Sequence, residues 1–135
     1  MNNLKMNNSY VLGIVGSRHY MDYEGFCGGL NQIVSLYGKP SKVVSGGHTD
    51  KRGNIKPGAD TLAWRWAQDN NIEMVEHDAK WDLYGKAAGA IRNKLIVDDI
   101  DVLLAFVAPN STGTRITINM AKKNPAIKIY VINIT

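Results

Sequence analysis

At 135 residues the chain has the length of one domain and leaves no room for a second of ordinary size. Its 44% hydrophobic and 21% charged residues lie near the globular average, which excludes a disordered or fibrous chain. The net charge of +4, with an isoelectric point near 9.2, favours an anionic partner but does not separate nucleotide from nucleic acid.

The chain opens on a polar stretch, expected to be a tail over residues 1–9, with the domain running from 10 to 135. No apolar run approaches the roughly 18 residues that span a bilayer, so the expectation is a cytoplasmic protein with no membrane partner. Five short runs rich in β-branched residues read as strands: Tyr10 to Val15, Lys42 to Ser45, Ile72 to Glu76, Asp101 to Val107 and Ile127 to Ile134. Between the first two, Phe26, Leu30, Ile33, Val34 and Tyr37 recur at i, i+4, i+7, i+8 and i+11, the spacing of one helix face. A second helix is expected from about Gly58 to Asn70, with Ala59, Leu62, Ala63 and Trp66 inward. A third should align Ala88, Ile91 and Leu95, and a fourth should run from about Gly113 to Lys123. The stretch Gly46 to Pro57 matches neither period and is expected to be an irregular, mobile loop.

Strands alternating with helices imply a parallel sheet covered on both faces, because parallel neighbours need crossover connections. The expectation is a three-layer α/β sandwich of Rossmann-like type with a mostly parallel five-stranded sheet. With strand order 3-2-1-4-5, the loops leaving the first and fourth strands diverge and open a ligand crevice.

Residues suited to anions cluster at the strand exits. Gly16-Ser17-Arg18 follows the first strand, pairing a tight turn with a hydroxyl and a guanidinium that can grip phosphate bidentately. Ser45-Gly46-Gly47 follows the second, then Lys51, Arg52 and Lys56, then Gly58-Ala59-Asp60 at a helix start whose N–H groups suit an anion. Asp60 reads equally well as a helix cap. After the fourth strand, Pro109-Asn110-Ser111-Thr112-Gly113-Thr114-Arg115 sets glycine, hydroxyls and an arginine at a helix start as a second phosphate cradle, with a plain capped turn as the alternative. Trp81, Tyr84, Lys86, Arg92 and Asn93 precede or open the third helix. Trp81 and Tyr84 suit either stacking on a base or anchoring a loop to the core. Trp64 and Trp66 read as packing residues.

Neither a Walker loop nor a G-x-G-x-x-G fingerprint is present, which disfavours ATP hydrolysis and nicotinamide chemistry. Cys27 is the only cysteine and reads as core. His19, His48 and His77 are too scattered for a structural zinc site. No cofactor is expected, although a bound divalent cation fits the composition.

Together, Gly16-Ser17-Arg18, Ser45-Gly46-Gly47, Gly58-Ala59-Asp60-Thr61-Leu62-Ala63, Trp81, Tyr84 through Gly89, Arg92-Asn93 and Gly113-Thr114-Arg115 resemble the YspA-like, cpYpsA-related branch of the SLOG superfamily. That superfamily takes in the Lonely Guy phosphoribohydrolases and the DNA-processing protein DprA. The resemblance extends from Val11 to Ile132 and implies a Rossmann-like domain with a nucleotide or nucleotide-derived ligand. Two departures stand out. His48 to Pro57 intervene where the branch joins the glycine pair almost directly to Gly-Ala-Asp. The hydrolase pattern P-G-G-x-G-T-x-x-E ends here on Thr117 rather than the catalytic glutamate.

The reading that follows is binding of a phosphate-bearing nucleotide, as sensor or sequestering protein. N-glycosidic hydrolysis is the enzymatic alternative, with Asp60 as the carboxylate and Asp22 or Asp82 behind it. Single-stranded nucleic acid is a third reading, weaker for want of a basic tract. A homo-oligomer is compatible with all three.

Overall fold

The computed structural model describes residues 9–135. Apart from Ser9, the expected polar tail lies outside the described residues. Strands β1 (Val11–Gly16), β2 (Lys42–Gly46), β3 (Glu73–His77), β4 (Val102–Val107) and β5 (Lys128–Asn133) form one sheet in the order β3-β2-β1-β4-β5. Every pairing is parallel. Helices α1 (Tyr23–Tyr37) and α2 (Ala59–Asp69) connect the first three strands. A short helix α3 (Trp81–Tyr84), a 3-10 turn (Gly85–Ala87) and α4 (Ala88–Asp98) lead to β4, and α5 (Thr112–Lys122) leads to β5.

The two-residue period of the central strands sorts their side chains into two cores. Leu12, Ile14, Val43, Val102, Leu104 and Phe106 pack under α1 and α2. Val15, Val44, Leu103, Ala105 and Val107 pack under α4 and α5. All six β4 residues are buried, as expected of a strand covered on both faces. Phe106 stacks on Phe26 of α1 with ring centroids 4.8 Å apart, an arrangement that adds about 0.5–1.5 kcal/mol beyond area burial.

Local chemistry sets the helix ends. The Asp22 carboxylate accepts from the Gly25 N–H at 3.0 Å and caps α1, which stops at Gly38 with φ +82, where the Gly38 N–H donates to the Val34 carbonyl. Cys27 is half-buried and packs against the first core. Trp66 is buried, whereas Trp64 lies parallel to the His48 ring at 4.2 Å.

Two expectations need correction. Of Ala88, Ile91 and Leu95 the third helix buries only Ala88; its other buried residues are Ile96 and Val97, while Ile91 is 37% and Leu95 46% exposed. Apolar residues lie all round this helix, so periodicity offered more than one face, and the preceding short helix and 3-10 turn set which one meets the sheet.

The stretch after β2 is not irregular but a small hairpin. Thr49 and Ile55 bridge antiparallel, and the Lys56 and Asp50 N–H groups donate to the His48 and Asn54 carbonyls. The Asp50 carboxylate closes the tip by accepting from the Arg52 and Asn54 N–H groups, and Gly53 turns there at φ +83. Its base is tied to the body. Glu76 accepts from the His48 backbone N–H and lies 2.6 Å from the His48 ring nitrogen, while the Thr61 hydroxyl donates to the Lys56 carbonyl.

Candidate functional site

β1 has β2 on one side and β4 on the other, so the loops leaving β1 and β4 turn to opposite faces and part. The cleft between them has a volume of about 1590 Å³. It is lined by Gly16, Ser17 and Arg18 from the β1 exit, by Gly58, Ala59 and Asp60 at the α2 start, and by residues 108–114 after β4. Trp81, Arg92 and Asn93 enter from the α4 side, and Lys51 and Lys56 from the hairpin. Of the residues proposed from sequence, Arg52, Tyr84, Lys86 and Arg115 do not line the cleft, and Ser45, Gly46 and Gly47 lie behind its wall.

The wall is built by close contact. A Cβ on Gly16 would come 2.8 Å from the Ala59 Cβ and 2.9 Å from the Phe106 carbonyl oxygen, so glycine lets α2 and β4 converge on the β1 exit. Gly58 has φ +120, and a side chain there would strike the Arg18 backbone at 2.6 Å. The Ala59 N–H donates to the Ser17 carbonyl at 3.0 Å, and the Thr61 and Leu62 N–H groups to the Gly58 carbonyl. The α2 start is therefore largely satisfied within the protein. Among its first donors, the Asp60 N–H has no acceptor among the described residues.

Asp60 does not cap α2; Gly58 holds that position and makes no side-chain cap. The Asp60 carboxylate instead reaches back to β2, where Oδ1 accepts from the buried Ser45 hydroxyl at 2.8 Å and the Gly46 N–H at 3.3 Å. Gly46 makes room for this, because a Cβ there would lie 2.9 Å from Asp60 Cγ and 2.6 Å from Arg92 Nη1. Carboxylate and guanidinium thus flank one backbone point. Arg92 Nε donates to the Asn93 side-chain oxygen at 2.7 Å, which steadies the guanidinium.

The other lip differs. Ser111 precedes α5 and its hydroxyl accepts from the Ala108 N–H at 2.9 Å, folding the loop. The Gly113 and Thr114 N–H groups belong to the first turn, where no intrahelical acceptor exists. Thr114 is only 7% exposed as a residue and lines the cleft, and its hydroxyl, which has no hydrogen-bond partner among the described residues, is not buried but opens on the cleft. Thr117, at the position of the family glutamate, is buried and donates to the Gly113 carbonyl at 3.1 Å. Arg115 is exposed, with Nη1 at 3.4 Å from the Ala108 carbonyl and 3.5 Å from that of Pro109.

As many aspartates as lysines and arginines line the cleft, five of each. Four have structural partners: Asp22 caps α1, Asp50 closes the hairpin, Asp60 is bound by Ser45 and Gly46, and Asp82 pairs with Lys51 at 2.8 Å. Sequence reasoning missed Tyr20 and Asp78. Tyr20 stacks on Phe106 with centroids 5.4 Å apart, and burial, then the Asp22 charge, pushes its hydroxyl pKa up. It is a hydrogen-bond donor at neutral pH rather than a base. No sequence signal marked it, because a tyrosine two residues past an arginine has no periodic role. Among the described residues no group of three acidic, histidine or cysteine side chains is placed to hold a metal ion, and no helix is long and apolar enough to cross a membrane.

A doubly wound parallel sheet with an open crevice at its switch point defines a Rossmann-like α/β domain. The profile of the YspA, cpYpsA-related SLOG family matches residues 11–84, over half the chain, and the protein belongs to that family. The match takes in the first two strand exits, Asp60 and Trp81, and stops before Arg92 and the α5 start. The chain is also similar to the gene 61 protein of Mycobacterium phage D29, at 39% identity over 72 residues, covering 49% of this chain and 58% of that protein. It thus spans less than two thirds of that relative's length. No solved structure matches the chain.

Proposed function

We propose that the cleft binds a discrete phosphate-bearing nucleotide or nucleotide derivative, with the phosphate at the α5 start, and that the protein acts as a sensor or sequestering protein. The observation that carries this is the Thr114 hydroxyl, which lines the cleft beside the first-turn N–H groups of α5 and has no hydrogen-bond partner among the described residues. An anion seated there would give this hydroxyl and the free first-turn N–H groups an acceptor and supply the charge that the helix start favours. Family membership supports a nucleotide-related role.

Balanced lining charge favours a small ligand over a polyanion, since nucleic-acid affinity rests on a surplus of cations along the backbone path. Mass spectrometry of small molecules released from the purified protein, followed by calorimetry with each, tests the reading. A retained nucleotide that displaces any bound oligonucleotide agrees with it. Tight, steeply salt-dependent oligonucleotide binding that mononucleotides leave untouched would favour the nucleic-acid reading.

Hydrolysis of an N-glycosidic bond is the second reading, and Asp60 favours it. Oδ1 is held by Ser45 and Gly46, which fixes the carboxylate at the cleft wall with Oδ2 free of any hydrogen bond among the described residues. Release of free base from nucleoside monophosphates by the native protein, abolished in Asp60→Asn, would establish the enzyme. Release that survives the substitution excludes Asp60 as the catalytic group.

A further inference from the structure

The α4 face that turned away from the core is not featureless surface. Tyr84, Ala88, Ile91 and Leu95 wall an apolar hollow of about 180 Å³, and Asp78, Lys80 and Arg92 complete its lining. Those last three residues also line the cleft, so the two spaces adjoin across them. The hollow is smaller than the roughly 300 Å³ at which whole-ligand sites begin, so it suits one part of a larger molecule.

We propose that this hollow is a subsite for the planar aromatic end of the ligand, a nucleobase whose sugar and phosphate extend past Arg92 into the cleft. The inference rests on the nucleotide reading above and adds where the base sits. A base has two apolar faces and an edge carrying hydrogen-bond donors and acceptors. Ile91, Leu95 and the Tyr84 ring supply apolar contact, and an aromatic side chain at such a place stacks on any base.

The polar members match the edge. Asp78 and Lys80 are exposed and neither forms an ion pair within the described residues, which leaves a carboxylate to accept from a ring or exocyclic N–H and an ammonium to donate to a carbonyl or ring nitrogen. Gly47 leaves the Asp78 carboxylate room to sit here, since a Cβ there would run into it, with Cγ at 2.8 Å. Gly47 thus serves this subsite from behind the wall. Trp81 is less suited to the role, because its ring tip already lies 3.4 Å from where a Gly89 Cβ would be.

The test is calorimetry on the full chain with the four ribonucleoside 5′-monophosphates and with ribose 5-phosphate. At least one monophosphate should bind about tenfold or more tightly than ribose 5-phosphate, the gain expected from one stacked base. Ile91→Glu makes the hollow polar and Leu95→Trp fills it. Both positions are exposed, and thermal melts verify that the variants fold. Each should lower that monophosphate to the level of ribose 5-phosphate, while ribose 5-phosphate itself stays within about twofold of native. Equal affinity for all five compounds in the native protein, or a base preference that survives both variants, overturns the subsite and leaves the phosphate cradle standing. Failure of every compound to bind overturns the nucleotide reading and the subsite with it.

Discussion

The two lips of the cleft are both glycine-bearing helix starts, yet they are built for different work. At the α2 lip the space beside Gly16 and Gly58 is filled by Ala59, Phe106 and the Arg18 backbone, and most first-turn donors are taken by Ser17 and Gly58. At the α5 lip nothing lies within 4 Å of a Gly113 Cβ, and the Thr114 hydroxyl has no partner among the described residues. Glycine at the first lip is there for assembly. The second lip leaves its polar groups without partners among the described residues, which is why we propose it as the phosphate site.

The comparison breaks most readily through Gly16→Ala. Its methyl would press on backbone at the centre of the sheet, where overpacking costs about 1–3 kcal/mol, and denaturant midpoints should report a loss near the top of that range. Gly113→Ala should leave stability within about 0.5 kcal/mol of native or raise it, since it adds a helix former in open space. Equal losses at the two glycines would remove the distinction between the lips.

Thr114→Val sharpens the same contrast from the binding side. The swap keeps the shape and removes a hydroxyl that has no partner within the described residues, so the fold should be little changed. Nucleotide affinity measured by calorimetry should drop by about 1.5–3 kcal/mol, the range for a hydrogen bond to a charged group. Unchanged affinity would take Thr114 out of the site. Arg115→Ala should matter less, by about 0.5 kcal/mol or below, because that side chain stands outside the cleft and leans on the Ala108 and Pro109 carbonyls. A loss as large as that of Thr114→Val would show that the guanidinium swings inward on binding.

The smallest effect concerns the closed end of the molecule, far from both lips. Burial, then the hydrogen bond with Tyr130, pushes the Tyr37 hydroxyl up to about 12, and burial raises that of Tyr10 as well. In the unfolded chain both titrate near 10. Above about pH 10 the unfolded chain sheds these protons first, so the folded chain holds more of them and stability falls as pH rises toward about 12. Denaturant midpoints should be insensitive to this pair below that window, and Tyr37→Phe should make the alkaline decline shallower. A variant that declines as steeply as the native protein would argue against the linkage.

Much of this architecture was legible from residues alone. The β-branched runs placed all five strands within about one residue, and the helix-strand alternation led to the observed strand order, because parallel pairing and handed crossovers leave few arrangements. The grouping of Gly16, Ser17, Arg18, Asp60, Arg92 and Gly113 around one cleft followed from that order. What stayed hidden depended on tertiary contact. Nothing local distinguishes a glycine packed on Ala59 from one open to ligand. Asp60 looked like a cap because its reach to Ser45 crosses 15 residues, and the buried face of α4 is chosen by its neighbours rather than by its own pattern. The hairpin after β2 was missed because its strands are a single bridge long.

The central claim, a phosphate-bearing nucleotide seated at the α5 lip, is tested most directly by amide-resolved NMR while a nucleoside monophosphate is titrated into the native protein. The Gly113 and Thr114 amides should shift most and saturate together with those of Ser17 and Asp60, while the hairpin tip at residues 51–53 moves little. Saturable shifts confined to the hairpin or to the outer helix faces, with Gly113 and Thr114 unmoved, would contradict the account.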